Sequence, residues 1–252
     1  MELRLKKGED RRLRAGHAWV FSNEVDIAGT PLTAFRPGDV ARVVSDRGAF
    51  LGHACVNPHA LICARILSRD ERLEPDAAFF AARIGRALRL RTLLYPTPHY
   101  RLLFGESDEL PGLIVDRYGE VAVGQIATAG MEARKADIEA AIHAVVAPQS
   151  LVWKNDTGAR DLEQLPKELT VAFGALPEEL ELVENGIAFT APLGQGQKTG
   201  WFYDQSANRA RFRELLPRDA QVLDVCSYAG AWAVTALNAG ARAAACVDAS
   251  AN

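Results

Sequence analysis

The stretch Val222-Leu-Asp-Val-Cys-Ser-Tyr-Ala-Gly230 decides the fold of the C-terminal part of the chain. A short apolar run ends there in a turn of small and polar residues, a helical segment follows over residues 231–240, and a second apolar run ends at Asp248. This order predicts the opening β-α-β unit of a Rossmann-type nucleotide-binding sheet. Small residues in the turn would let backbone N–H groups approach a ligand, and Asp248 could accept hydrogen bonds from a ribose diol.

The turn alone leaves two interpretations open, because it is not a G-x-G-x-x-G sequence and its glycine could serve packing only. The preceding segment, Lys198-Thr-Gly-Trp-Phe-Tyr-Asp-Gln205, adds a cation, three aromatic residues and an acid–amide pair. These aromatic residues either cover a sheet edge or line an adenine pocket in which Lys198 and Gln205 make polar contacts. The second interpretation predicts a cofactor site.

Composition indicates an ordinary soluble protein with room for about two domains. The 252 residues are 48% hydrophobic and 24% charged, and the net charge of −3 gives no global positive field for nucleic acid. Residues 1–14 nevertheless carry six cations against three acids, which indicates either a solvated edge or a local nucleic-acid contact. Met1 leads directly into charged residues and no window approaches the roughly 18 apolar residues of a membrane span, so we expect a cytoplasmic protein.

The cysteines Cys55, Cys63, Cys226 and Cys246 form no C-x-x-C pair. Together with His53 and His59, the first two do not have the spacing of a known zinc motif, so no metal is predicted. We expect all four cysteines to be reduced thiols that pack as small apolar residues.

The order of elements predicts three units. Residues 1–73 contain short strands with Gly and Pro turns, which indicates a small β-barrel, and residues 74–180 are predicted to form an α+β middle domain. The middle domain is expected to hold a helix over about 77–94, with an apolar stripe that continues to Leu93 and Leu94, and a second helix over 132–146. Residues 181–252 are expected to contain a hairpin at Asn185-Gly186, a flexible loop over 194–200, a helix over 205–216 and the β-α-β unit.

Several of these segments together resemble the cytosine-C5 RNA methyltransferases of the large-ribosomal-subunit type. The resemblance rests on five stretches: Lys198–Gln205 with Asn208-Arg209, Asp224–Gly230, Val247–Ser250, Gly16–Phe21 and Leu110–Tyr118. It covers nearly the whole chain and implies a multidomain fold of mixed α/β and α+β class. The implied parts are an N-terminal PUA-like barrel, an α+β middle domain, and the start of a Rossmann-like class I methyltransferase sheet.

The resemblance also implies a cofactor and a partner. The cofactor would be S-adenosylmethionine, and the residues around it would be Lys198, Phe202, Gln205, Asp224, Ser227, Tyr228, Gly230 and Asp248. The partner would be RNA, expected to be rRNA, on a surface that includes Arg4, Lys6, Arg11, Arg12 and His17, since positive charge gives sequence-independent phosphate affinity. We expect no membrane partner and allow for a homodimer.

One departure from the family concerns catalysis. Methylation of cytosine C5 needs a cysteine nucleophile and an acid-Pro-Pro motif, which the family carries downstream and which residues 1–252 lack. We therefore expect a C-terminally truncated chain and name no catalytic residue, since Cys226 is interpreted as structural. The alternative is an RNA-binding module without catalytic activity. A nucleotide-binding oxidoreductase fragment is disfavoured, because the turn lacks G-x-G-x-x-G.

Overall fold

The chain folds into three consecutive units. The computed structural model describes residues 1–72, 75–194 and 198–249. The boundary predicted between residues 73 and 74, the middle of the predicted 194–200 loop, and Ser250 of the last matching stretch lie outside the described residues.

The first unit is built on a mixed sheet with the strand order β1-β3-β4-β5-β2. Burial alternates in the short strands β1 and β2, whereas β4 and β5 carry runs of two or three consecutive buried residues. The elements are β1 (Glu2–Arg4), α1 (Arg11–Arg14), β2 (Trp19–Phe21), β3 (Val40–Val44), β4 (Phe50–Val56) and β5 (Ile62–Ser68).

The second unit places helices against a sheet with the order β10-β9-β8-β7-β6. All neighbours in it are antiparallel except β8 and β9, which are parallel and joined by a helical crossover. The elements are α2 (Ala77–Leu94), β6 (His99–Phe104), β7 (Leu113–Tyr118), β8 (Val121–Ile126), α3 (Ala129–Glu132), α4 (Lys135–Val146), β9 (Ser150–Asn155), α5 (Ala159–Leu162) and β10 (Glu168–Phe173).

Two expectations for this unit are wrong in detail. The helix predicted over 132–146 begins later, as α4 at Lys135, and Glu132 ends a separate short helix, α3, because Arg134 has a non-helical backbone with φ of −116° and ψ of 15°. The apolar stripe of α2 packs against the core as far as Leu88, and Leu90, Leu93 and Leu94 are exposed. The next position on the buried face, four residues after Ala87, is Arg91, which pairs with Asp108 and does not extend the apolar stripe.

A buried carboxylate, that of Glu163, joins the first two units. Its Oε2 accepts hydrogen bonds from Asn57 Nδ2 at 2.7 Å and from the Ala129 N–H at 3.2 Å, and its Oε1 pairs with Arg65 at 3.2 Å. Asn57 and Arg65 belong to the first unit, so this network fixes that unit against the start of α3.

The third unit contains the predicted hairpin and the predicted β-α-β unit. The hairpin turns at Asn185 and Gly186, whose φ values of 52° and 81° match a type I′ turn. The predicted boundary after residue 180 falls inside the first hairpin strand, because Glu179 already pairs with Pro192. The elements are β11 (Glu179–Glu184), β12 (Ile187–Pro192), α6 (Ser206–Leu215), β13 (Gln221–Val225), α7 (Ala231–Asn238) and β14 (Ala243–Val247), with β13 and β14 parallel.

The cysteines fall into two classes. Cys55 and Cys63 are buried in separate hydrophobic clusters, and burial raises the pKa of Cys55 to about 11 and that of Cys63 to about 12. The expectation that all four pack as apolar residues is wrong for Cys226 and Cys246, which are exposed because the β13–β14 sheet is thinly covered. Within the described ranges, no group of three or more His, Cys, Asp or Glu side chains could hold a metal ion. None of the described helices is long and apolar enough to cross a membrane.

This division predicts the thiol reactivity of the folded chain. A maleimide reagent should modify Cys226 and Cys246 quickly and leave Cys55 and Cys63 unmodified until the chain unfolds, because only the first two are exposed. Mass spectrometry of the native and the denatured protein measures the number of labels. Rapid native labelling of Cys55 or Cys63 would contradict the described packing, and Cys226→Ala provides the control for assigning the labels.

Candidate functional site

A cavity of about 350 Å³ lies between the segment that precedes α6 and the turn that follows β13. Five of the eight residues predicted to hold a cofactor lie on its wall: Phe202, Gln205, Ser227, Tyr228 and Asp248. Its volume is within the range of small-molecule sites. The β-α-β pattern and the aromatic segment, which are separate in the sequence, therefore meet at one place.

The turn after β13 is held in an uncommon backbone conformation. Cys226 and Tyr228 have φ values of 61° and 50°, a region that residues other than glycine seldom adopt. Hydrogen bonds to the end of β14 maintain it, from Cys226 N–H to the Val247 carbonyl at 2.8 Å and from Tyr228 N–H to Asp248 Oδ2 at 2.7 Å. These N–H groups bond to the protein, contrary to the expectation that the turn offers them to a ligand. Such locally strained turns are found preferentially at functional sites.

The aromatic side of the cavity is connected to the same turn. The Phe202 and Tyr228 rings make an edge contact with centroids 5.6 Å apart, and Tyr228 Oη donates a hydrogen bond to the Gly200 carbonyl at 3.0 Å. Lys198 is not on the wall, but its Nζ lies 4.3 Å from the centroid of the Phe202 ring. Lys198 therefore contacts a ring of the cavity wall without lining the cavity itself.

The two other predicted residues also lie outside the cavity wall. Asp224 is buried, and its Oδ2 accepts a hydrogen bond at 3.2 Å from the Ala233 N–H in the first turn of α7. Gly230 precedes α7 with φ of 68°, and its N–H donates to the Ser227 carbonyl at 2.8 Å. Both residues therefore shape the helix N-terminus behind the cavity.

A buried ion pair between Arg209 and Glu184, which was not predicted from the sequence, lies against the cavity wall. Arg209 lines the cavity and pairs with Glu184 of the hairpin, with Nε–Oε1 at 2.5 Å and Nη2–Oε2 at 2.8 Å. Arg209 also donates to the Phe202 carbonyl at 2.9 Å, and the Trp201 indole donates to Glu184 at 3.1 Å. The sequence signal was present, since Arg209 follows Gln205 by four residues and so lies on the same helix face.

A second buried carboxylate anchors the segment that leads into the site. Asp116 on β7 is fully buried and receives two hydrogen bonds of 2.9 Å from Arg101. It also accepts a hydrogen bond from the hydroxyl of Thr199, the residue next to Gly200. The middle unit thereby fixes the loop whose carbonyl holds Tyr228.

Burial, hydrogen bonds and neighbouring charges shift the pKa values of Asp204 and Tyr203, which lie beside the cavity. Partial burial acts to raise the pKa of Asp204, but its hydrogen bond from Gln205 and the charges of Lys198 and Arg101 outweigh burial and lower that pKa. Burial raises the pKa of Tyr203, with Tyr118 and Asp116 adding to the effect. Asp204 is therefore ionised and Tyr203 neutral at physiological pH.

The predicted RNA-contacting residues lie in the first unit, and several already have partners. Arg4 pairs with Glu2 at 2.7 Å, Arg12 pairs with Glu24 at 2.8 Å, and Lys6 donates to the Asn23 carbonyl at 2.8 Å. Arg11 and His17 are exposed. Because Glu24 lies outside residues 1–14, its pairing with Arg12 makes the local positive excess smaller than the excess counted within that segment.

Comparisons with known proteins agree with this geometry. A model of the PUA-like domain matches residues 3–69. The chain is 34% identical over 251 residues to ribosomal RNA large subunit methyltransferase I of Pseudoalteromonas translucida, and 32% identical over 254 residues to the protein of that name from Cronobacter sakazakii. These alignments cover 98% and 99% of this chain but 62% and 63% of the two relatives. The predicted C-terminal truncation is not confirmed by these shares and stays a prediction.

Two solved structures share the fold. A candidate SAM-dependent methyltransferase from Streptococcus mutans superposes with a TM-score of 0.81 at 22% identity, covering 100% of this chain and 64% of that one. SMU.776, a candidate methyltransferase solved in complex with SAH, superposes with a TM-score of 0.83 at 22% identity, covering 100% of this chain and 63% of that one. The chain thus contains a PUA-like domain and, along nearly all of its length, is similar to ribosomal RNA large subunit methyltransferase I.

Proposed function

We propose that this chain carries the RNA-binding part and part of the S-adenosylmethionine site of an RNA methyltransferase that acts on large-subunit rRNA. The observation that supports it most is the cavity, in which Phe202, Ser227, Tyr228 and Asp248 meet, in a chain similar to rRNA methyltransferases. We further propose C5 of cytosine as the target atom, because the sequence resembles cytosine-C5 RNA methyltransferases.

The residues of the cavity fit S-adenosylmethionine. Asp248 lies at the tip of β14, where its carboxylate can accept from a ribose diol while its Oδ2 holds the Tyr228 N–H. Phe202 and Trp232 offer apolar surface to a purine, and Gln205 adds an amide to the same wall. When bound, the cofactor supplies an electrophilic methyl group. The chain's own residues bind it, orient it and exclude water from one side.

The RNA would be held mainly by the first unit. Arg11 and His17 are exposed there, and Arg4, Lys6 and Arg12 lie in the same segment. The proposal also includes a cytoplasmic location, a homodimer, and unit bounds of 1–73, 74–180 and 181–252. An RNA-binding module without methyl transfer is the alternative, and the two are separated by cofactor binding.

The proposal predicts that Asp248→Asn weakens binding of S-adenosylhomocysteine by about tenfold or more, since a hydrogen bond to a charged group contributes about 1.5–3 kcal/mol. The amide oxygen of asparagine can still accept from the Tyr228 N–H, so the turn should keep its conformation. Isothermal titration calorimetry of the chain measures the dissociation constant.

Glu181→Gln serves as the matched control, because Glu181 is an exposed acid on β11 that does not line the cavity. Equal affinity in Asp248→Asn and the unchanged chain would refute the assigned role of Asp248. RNA binding with no saturable binding of S-adenosylhomocysteine would favour the alternative of an RNA-binding module.

A further inference from the structure

A second cavity, of about 410 Å³, adjoins the first across the short 3₁₀ turn Tyr203–Gln205. Gln205 lies on the wall of the candidate cofactor cavity, whereas Tyr203, Asp204 and Ser206 lie on the wall of the second one. The opposite wall comes from the middle unit, at the C-terminal end of α2 and along β6. Any group bound in this cavity would be one turn of chain away from the cofactor.

Aromatic rings with solvent-exposed surface line the second cavity. Tyr95 is 42% exposed and stacks on the buried Tyr100, with ring centroids 5.3 Å apart and planes 29° apart. Phe104 is 52% exposed, and the Arg101 guanidinium lies 5.6 Å from its ring centroid. Exposed aromatic rings are surfaces on which unpaired bases stack.

The charges on this wall cancel. Arg91 pairs with both carboxylate oxygens of Asp108, at 2.8 and 2.7 Å. The carboxylate of Asp116 holds Arg101, which leaves Asp204 as an exposed acceptor on the cavity wall. Phosphate binding requires a positive excess, so the composition favours a planar uncharged group with hydrogen-bond donors on its edge.

We propose that the second cavity binds an unpaired base of the RNA substrate, stacked against Tyr95 and Phe104 with an amino group directed to Asp204. This inference rests on the proposed function and adds to it a binding site for the RNA strand outside the N-terminal unit. The middle unit would thereby hold a base beside the cofactor cavity, while the first unit binds the phosphate backbone.

A crosslinking experiment tests the site on the unchanged chain. A short single-stranded RNA that carries one 5-iodocytidine is irradiated with the protein, and the modified peptides are identified by mass spectrometry. We expect crosslinks at Tyr95 or Phe104, because 5-iodocytidine reacts with aromatic rings on which it stacks and its amino group can reach Asp204. This readout does not depend on the folding of any variant.

Binding measurements on variants give the second readout. Tyr95→Leu combined with Phe104→Leu should weaken the affinity for the same RNA, measured by fluorescence anisotropy, by about tenfold or more. Binding of S-adenosylhomocysteine should be unchanged, because neither residue lines the cofactor cavity. Leu93→Ala is the matched control, an exposed apolar residue at the same helix end but outside the cavity wall, and should change RNA affinity by less than about twofold.

The outcomes separate this inference from the proposed function. If RNA binds the double variant as tightly as the unchanged chain and the crosslinks map elsewhere, the second cavity is not an RNA site, while the proposed function stands. If the unchanged chain binds S-adenosylhomocysteine but no RNA, this inference is wrong, and so is the RNA-binding part of the proposed function. If it binds neither, both fail.

Discussion

Replacing Arg209 by methionine is expected to destabilise the chain by about 3–5 kcal/mol, because it leaves the Glu184 carboxylate buried without its countercharge. Both side chains are almost fully buried, and their two hydrogen bonds join α6 to the hairpin under the candidate cofactor cavity. Methionine retains most of the apolar volume, so the loss measures the charge and not a cavity. Urea unfolding followed by circular dichroism measures the free energy of unfolding.

The same helix offers a control. Arg211 pairs with Glu214 in an exposed i,i+3 arrangement, so Arg211→Met should cost no more than about 0.5 kcal/mol. Adding Glu184→Gln to Arg209→Met should recover part of the lost stability, because no buried charge then remains. Similar losses for Arg209→Met and Arg211→Met would show that the buried pair does not support this unit.

Replacing Asp116 by alanine is expected to cost about 3 kcal/mol, the lower end of the range for breaking a buried ion pair, since Arg101 keeps partial contact with water. Cofactor affinity should also fall, because Asp116 holds Thr199 and the Thr199–Gly200 segment in turn positions Tyr228. Calorimetry with S-adenosylhomocysteine, at a temperature where the variant remains folded, separates this effect from the loss of stability.

Thr199→Val should lower the stability less than Asp116→Ala does. It removes one hydroxyl hydrogen bond to Asp116 and keeps the Arg101 pair, so about 1 kcal/mol of stability should be lost, together with part of the cofactor affinity. If Asp116→Ala lowered stability but left cofactor affinity unchanged, the link from the middle unit to the cofactor cavity would be refuted.

The sequence predicted those elements whose signal is local. The Asn185-Gly186 hairpin and the β-α-β unit follow from turn chemistry and apolar runs within a few residues, and both are present. The helix over 77–94 has its predicted bounds.

The parts of the site that the sequence did not predict depend on contacts between distant residues. Glu184 and Arg209 are 25 positions apart, and Asp116 and Thr199 are 83 apart, so no periodicity connects the members of either pair. Conversely, Asp224 and Gly230 were predicted to hold the cofactor, and the structure places them behind the cavity wall at the start of α7. A motif marks the neighbourhood of a site, whereas the side-chain directions come from tertiary packing.

The most direct test of the central claim is a crystal structure of this chain grown with S-adenosylhomocysteine. We predict density for the ligand in the cavity between Phe202 and Trp232, with the ribose hydroxyls within hydrogen-bonding distance of the Asp248 carboxylate. Ligand density at another place, or an empty cavity at saturating ligand, would contradict the assignment of this cavity as the cofactor site.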